Sequence, residues 1–397
     1  MKIYKFTNRK ILNGVEISCS IRIDQSEKKL KYKIQTSHEN FQQPQNADWA
    51  LLGLIYPAMM LGHDLSIDAP ISKNLLFYAQ NDLQILLKSV HKKLTIINIH
   101  AKSIPENKLN NIITATGFSG GVDTFASLAI NSNMKAPEKI SNLTLFNVGA
   151  FGRNKSIEAH QLINDSFLQL KRYSKLTSND WFFVDTNLED FYSNLNNSGF
   201  EKTHTLRNAS AALSLQSKIS NYFYSSGIKY SAVSTVATKF TYPSTEISFI
   251  DPILLPIIST ANMKFTSYGT CYSRFEKVEI VSDFELAYDF LNVCVGKPIK
   301  RLQNKNCSVC DKCMRTILSL EILGKLDKFS HRFDLDKYKK FKKNYIRKIG
   351  LSHIYGSNND AEIYTKLKEL SMHIKPKFFD YIKLRKYYFK RILNIRK

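Results

Sequence analysis

The chain has 397 residues, 43% of them hydrophobic and 12% aromatic, and carries 57 Lys and Arg against 34 Asp and Glu for a formal charge of +23. This length allows two or three domains, and the apolar content excludes a disordered or fibrous chain. No apolar run reaches the roughly 18 residues of a membrane-spanning helix, and residues 1–10 lack the apolar centre of a signal peptide, so the cytoplasm is the expected compartment. The positive charge favours polyanionic partners such as tRNA, DNA, nucleotides or anionic lipid. A lysine-rich but merely soluble surface gives the same balance.

Residues 1–108 read as an α+β accessory region. Alternating runs at 15–23 and 30–34 predict antiparallel strands, 49–61 a helix stopped by Gly62, and 94–99 a further strand. Residues 109–285 then alternate strand and helix. Strands are expected at 112–116, 143–148, 181–185 and 230–235, with helices at 122–130, 157–173 and 208–222. That order predicts an α/β domain, a parallel sheet with flanking helices. Residues 286–330 hold most of the cysteines, and 331–397 read as a basic helical tail. Within the last residues Lys383, Arg385, Lys386, Lys390, Arg391, Arg396 and Lys397 alternate with aromatic and aliphatic side chains. This is the pattern of a basic amphipathic helix suited to nucleic acid, a membrane surface or an acidic partner. A docked terminal helix is the plainer reading.

Directly after the first strand of the α/β region stands Gly117-Phe118-Ser119-Gly120-Gly121-Val122-Asp123-Thr124. A strand running through two glycines into a helix presents backbone N–H groups at the positive helix end, where phosphate oxygens bind. Ser119 and Thr124 add hydroxyls, and Asp123 supplies a carboxylate for Mg²⁺. The Lys of a Walker loop and the spacing of a dinucleotide loop are both absent. A tight turn without a ligand is the alternative.

Six cysteines occur. Cys307, Cys310 and Cys313 form Cys-x₂-Cys-x₂-Cys, a spacing that brings three thiolates to one ion. Cys294, nearest in sequence, is the preferred fourth ligand and Cys271 the alternative. Four protein ligands make a closed, structural zinc site, with an iron–sulfur cluster as the competing occupant.

The stretch 119–124 resembles the Ser-Gly-Gly-x-Asp-Ser/Thr signature of the PP-loop ATP pyrophosphatases. Together with the cysteine pattern, residues 112–324 resemble the 7-cyano-7-deazaguanine synthase family. Leu206-Arg207-Asn208 is similar to its Arg-Asn step, Ile250-Asp251-Pro252 to its substrate-side Asp, and the segment 274–281, with Lys277, to its Lys-x-Glu-Ile/Leu-Val run. The resemblance implies an adenine nucleotide α-hydrolase-like fold using ATP, Mg²⁺ and Zn²⁺. It implies nucleotide binding by Phe118, Ser119, Gly120, Gly121, Val122, Asp123 and Thr124, with Ser119, Asp123, Lys277 and Arg207 catalytic. Arg207, Asn208 and Asp251 would hold the substrate, and Cys294, Cys307, Cys310 and Cys313 the zinc. The implied reaction adenylates a carboxylate such as 7-carboxy-7-deazaguanine, releases pyrophosphate, and forms an amide or nitrile with ammonia or an amine. Such relatives are often homodimers, and diverged ones occur in antiviral defence. The chain departs in Thr124 for Ser, in lacking a Cys-Arg pair after Asp251, and in its N-terminal region, so the resemblance leaves the substrate open; the basic surface and tail add a protein or tRNA acceptor as a further expectation. Two rival readings are a tRNA-modifying thiolase or lysidine-type ligase, with Cys271 as nucleophile, and a non-catalytic nucleotide-binding subunit.

Overall fold

Among the described residues, ten strands hydrogen-bond edge to edge in one mostly parallel sheet, in the order β10-β9-β6-β7-β8-β3-β2-β1-β4-β5. The computed structural model describes residues 1–105, 112–151, 156–193, 195, 199–233, 246–294, 306–352, 357–382 and 385. They group into two units, one reaching Cys271 and the other starting at Tyr272. The first unit holds the whole sheet. Its N-terminal part is β1 (Lys2–Ile11), β2 (Gly14–Ile23), β3 (Ser26–Thr36), α1 (Asp48–Leu61), β4 (Leu65–Ser72), α2 (Lys73–Gln80), α3 (Asp82–Val90) and β5 (Ile99–Ile104). There follow β6 (Thr114–Gly117), α4 (Val122–Asn131), β7 (Ile140–Asn147), α5 (Ile157–Thr177), β8 (Asp180–Thr186), α6 (Phe200–Leu213), β9 (Asn221–Ser225), α7 (Asp251–Ile257) and β10 (Lys264–Tyr268).

The strands β6 to β10 run parallel to one another, as the alternation of strands and helices predicts. The sheet also crosses residue 108 without changing layer, because β3 pairs antiparallel with β8 from Tyr32↔Thr186 to Thr36↔Phe182. Helix α1 is buried along almost its whole length. It packs on α6 through Gly53, where an added Cβ would lie 2.8 Å from Ser210 Oγ and 3.1 Å from Tyr32 Oη. Ser210 Oγ donates to Trp49 O (2.6 Å) and lies 2.7 Å from Tyr32 Oη. A second buried network starts at Asp48, whose carboxylate accepts from Ser72 N (2.8 Å), Ser72 Oγ and Gln216 Nε2 (2.9 Å). Gln216 Oε1 in turn accepts from Thr260 Oγ1 at 3.0 Å. Paired buried polar groups of this kind specify one arrangement of the elements they join.

Three expected elements are corrected. Residues 94–98 form no strand: buried Gln84 accepts from Ile97 N (2.9 Å) and donates to Ile97 O (3.1 Å), Thr95 N donates to Met59 O and Asn98 N to Asp64 Oδ1, and the ladder begins only at Ile99. The helix expected at 208–222 instead starts at Phe200 and stops at Leu213, and Tyr222 lies in β9 opposite Phe265 and Ala115. Around 230 the chain makes a short 3-10 turn, Tyr230–Ala232, rather than a strand, while 234 and 235 lie outside the described residues.

The second unit comprises α8 (Arg274–Ser282), α9 (Asp311–Ile322), α10 (Leu335–Ile349) and α11 (Asn358–Glu369). Of the basic tail, Arg385 is described and exposed; Lys383, Lys386, Lys390, Arg391, Arg396 and Lys397 lie outside the described residues. No helix among the described residues is long and apolar enough to cross a membrane.

Candidate functional site

Within the parallel set β10-β9-β6-β7-β8, the strand earliest in the chain is central. The chain proceeds from β6 to β7 and β8 on one side, then returns to β9 and β10 on the other. The reversal falls between β6 and β9. In open α/β sheets the crevice outside the carboxyl ends of the strands at such a switch point is where ligands bind. The Gly117–Gly121 loop leaves β6 at that point.

Aromatic packing and hydroxyl bonds set the loop's shape. Phe118 N donates to Thr144 O (2.7 Å), and its buried ring lies 4.9 Å from that of Tyr173 and 6.0 Å from that of Phe125. The hydroxyls of Ser119 and Thr124 are 2.9 Å apart, Gly121 N donates to Ser119 Oγ, and Thr124 Oγ1 donates to Gly117 O, the last two at 3.3 Å. Gly120 has φ +71°, a left-handed conformation that side chains resist. Gly121 caps α4 with extended backbone and no side-chain hydrogen bond, so the helix presents its positive end without a side-chain cap. Ser119 is exposed and Asp123, in the first turn, half-buried, whereas Phe118, Val122 and Thr124 are buried anchors. The arrangement can accept an anion at backbone N–H groups with a carboxylate alongside.

Arg207 and Asn208 sit mid-helix on α6, not at a helix start. Arg207 is 1% exposed. Its guanidinium pairs with Glu189, donates to Val148 O (3.3 Å) and lies 3.9 Å over the Tyr192 ring. It thereby holds α6 to the ends of β7 and β8. Gly149 makes room for this pair: its φ is +107°, and a Cβ there would stand 2.3 Å from Glu189 Oε2 and 2.8 Å from Arg207 Nη1.

Asn208 and Asp251 do come together. Asn208 Nδ2 donates to Tyr224 Oη (3.2 Å), which is 3.1 Å from His204 Nδ1. Next to His204, Thr205 Oγ1 donates to Asp251 Oδ1 at 2.7 Å. Asp251 is fully buried and its Oδ2 has no hydrogen-bond partner. Desolvation pushes its carboxyl well above the usual 3.8, against the Thr205 hydrogen bond, with the Glu246 charge adding to the rise. Lys277 belongs to the second unit, buried on α8 behind the Ser273–Glu276 capping box.

The Sγ atoms of Cys294, Cys307, Cys310 and Cys313 all lie within 4.8 Å of one another, and Cys307 and Cys313 are 3.8 Å apart. Tetrahedral Zn–S bonds of about 2.3 Å place sulfurs about 3.8 Å apart, so these residues fit a single ion. Cys271 is exposed and outside the group. Crowding by Cys294 and Cys310, then burial, holds the Cys313 thiol well above its ordinary value; a bound cation reverses this. Ser308, at φ +60°, makes the turn, and Asn306 Oδ1 fixes the Cys294 side by accepting from Val293 N and Cys294 N.

Comparison with protein-family models, with curated proteins and with solved structures finds no match. Several residues that shape the site lay outside the sequence reading: Glu189, Thr205, His204, Tyr224 and Asn306. For Gly149 a signal existed, a glycine directly after the strand run expected at 143–148. Glu189 meets Arg207 only through the fold.

Two outcomes follow from this geometry. Asp251 has a raised folded-state pKa, so its contribution to stability is intact below pH 3.8 and is lost as pH rises toward the folded value. Asp251→Asn should therefore gain on wild type by up to about 1.4 kcal/mol per pH unit above that point, measured as thermal midpoints across pH. Cys310→Ser should lose most of about one bound zinc per chain, measured by elemental mass spectrometry of the purified protein.

Proposed function

We propose that the loop binds the phosphates of ATP and that the chain adenylates a carboxylate. The observation that supports this most is the position of Ser119-Gly120-Gly121-Val122-Asp123-Thr124 at the switch point of the parallel sheet. The positive end of α4 and the loop N–H groups suit a triphosphate, and Gly120 allows its close approach. Ser119, the exposed hydroxyl, would donate to the α-phosphate. Asp123 would hold Mg²⁺, which supplies charge neutralisation for the departing pyrophosphate.

In the proposed reaction a carboxylate oxygen attacks the α-phosphorus, the bond to the β-bridging oxygen breaks, and pyrophosphate leaves. A nitrogen nucleophile then attacks the acyl carbon, AMP departs, and the nitrogen loses a proton to give an amide. Phe118 and Thr124 fix the loop and with it the positive end of α4, a preorganised dipole of the kind that lowers such barriers, while Ser119 N and Gly121 N would exchange their contacts with Thr124 Oγ1 and Ser119 Oγ for phosphate oxygens. The acceptor would lie toward α6 and β9. Helix α6 runs back to the start of β9, so its N-terminal turns approach the carboxyl edge of the sheet. There Asn208, Tyr224 and Asp251 form a polar group beside the apolar Phe200. Asp251, fully buried against Thr205, would support this polar wall from behind. The cysteine centre has all four positions taken by protein and would be structural.

Pyrophosphate–ATP exchange with 7-carboxy-7-deazaguanine and Mg²⁺ tests the reading. Wild type should exchange, Asp123→Ala should fall at least about a hundredfold and Ser119→Ala about tenfold, with unchanged circular dichroism. Equal rates in wild type and Asp123→Ala would reject it.

A further inference from the structure

Helix α10 carries its charges asymmetrically. Tyr338, Tyr345, Ile346 and Ile349 are buried against the rest of the second unit. At helical spacing i, i+3 and i+7, Lys340, Lys343 and Arg347 share the opposite face. Other cations of the helix are already balanced: Lys337 pairs with Asp334, Lys342 with Glu321 and Lys348 with Asp311. Among the described residues no carboxylate pairs with Lys340, Lys343 or Arg347. Phe341, beside Lys340, is 43% exposed, with Lys340 Nζ 5.9 Å from its ring.

The line from Lys343 continues by seven residues to Gly350, which borders a cleft of about 370 Å³. Lys368 and Lys375 line that cleft with Tyr364 and His373. Lys368 Nζ lies 5.2 Å from the Tyr364 ring, and neither lysine has an acidic partner among the described residues. Three cations on α10 and two beside the cleft at its end thus lack acidic partners among the described residues, with the Phe341 ring next to Lys340 and the Tyr364 ring next to Lys368. We propose that this face of the second unit binds single-stranded nucleic acid, the cations following the phosphates and Phe341 offering a stacking surface. The burial of α10's apolar face argues against a membrane, since an interfacial helix needs that face for the bilayer.

The test uses the full chain without ATP and a fluorescein-labelled oligouridylate, read by anisotropy across salt concentrations. The triple variant Lys340→Glu, Lys343→Glu, Arg347→Glu should bind at least a hundredfold more weakly. Its dependence of log K on log salt should be shallower by roughly 2, at about 0.7 per phosphate contact. A control with the same charge change, Lys135→Glu, Lys139→Glu, Lys175→Glu, should stay within threefold of wild type, and both variants should keep the wild-type circular dichroism. Phe341→Ala should cost about tenfold. Equal losses in the triple variant and the control would reduce the effect to net charge and overturn the proposal. So would absence of oligouridylate binding by wild type at low salt, or binding to phosphatidylserine vesicles in its place.

Discussion

The central position of β6 is the constraint on which the first unit depends. It is hydrogen-bonded to β7 on one side and β9 on the other, and the chain reverses direction across the sheet between β6 and β9. Buried hydroxyls hold it in register: Thr116 Oγ1 donates to Phe223 O at 2.7 Å, and Thr144 Oγ1 to Thr116 O at 3.3 Å. With both flanks fixed, the backbone after Gly117 has one way out, over the edge of the sheet and into α4. Phe118 pins that exit between Tyr173 and Phe125. The placement of the loop at the switch point is therefore a consequence of topology as much as of its glycines.

Helix α6 links this edge to the N-terminal region. On one side Ser210 is hydrogen-bonded within the α1 and β3 layer, and on another Arg207 is paired with Glu189 beyond β8. Removing either contact would leave a buried polar group unsatisfied, at about 1–3 kcal/mol for a neutral donor and more for a charge. The strands and helices before residue 108 are thus part of what holds Asn208 in place. An α6 gripped from both sides also keeps Thr205 against Asp251, the one hydrogen bond that offsets the burial of this carboxyl inside the first unit.

Features encoded by neighbours in sequence were legible. The strand, the two glycines and the acid at 117–124 stand together, and Cys307, Cys310 and Cys313 converge because their spacing forces a turn. The parallel α/β core followed from alternation, and α4 and α5 fall where the sequence indicated. Legibility ended where the structure depends on distant partners. A run such as 94–98 has strand composition, yet its hydrogen bonds go to scattered partners such as Gln84, Met59 and Asp64 rather than to a neighbouring strand. The strands β9 and β10 are short and weakly patterned, and only pairing with each other and with β6 defines them. Arg207 stands out in the sequence by its resemblance to an Arg-Asn step, and the fold pairs it with Glu189 and the Val148 carbonyl. No local pattern announces that pairing, nor that β3 would add to β8.

The most direct measurement follows oxygen. Chain, ATP, Mg²⁺ and 7-carboxy-7-deazaguanine labelled with ¹⁸O in its carboxylate are incubated with ammonia, and the nucleotide product is analysed by mass spectrometry. The account predicts AMP carrying one ¹⁸O atom, because the attacking carboxylate oxygen remains on the α-phosphorus when the amide forms. Unlabelled AMP, or ADP with inorganic phosphate, would contradict it.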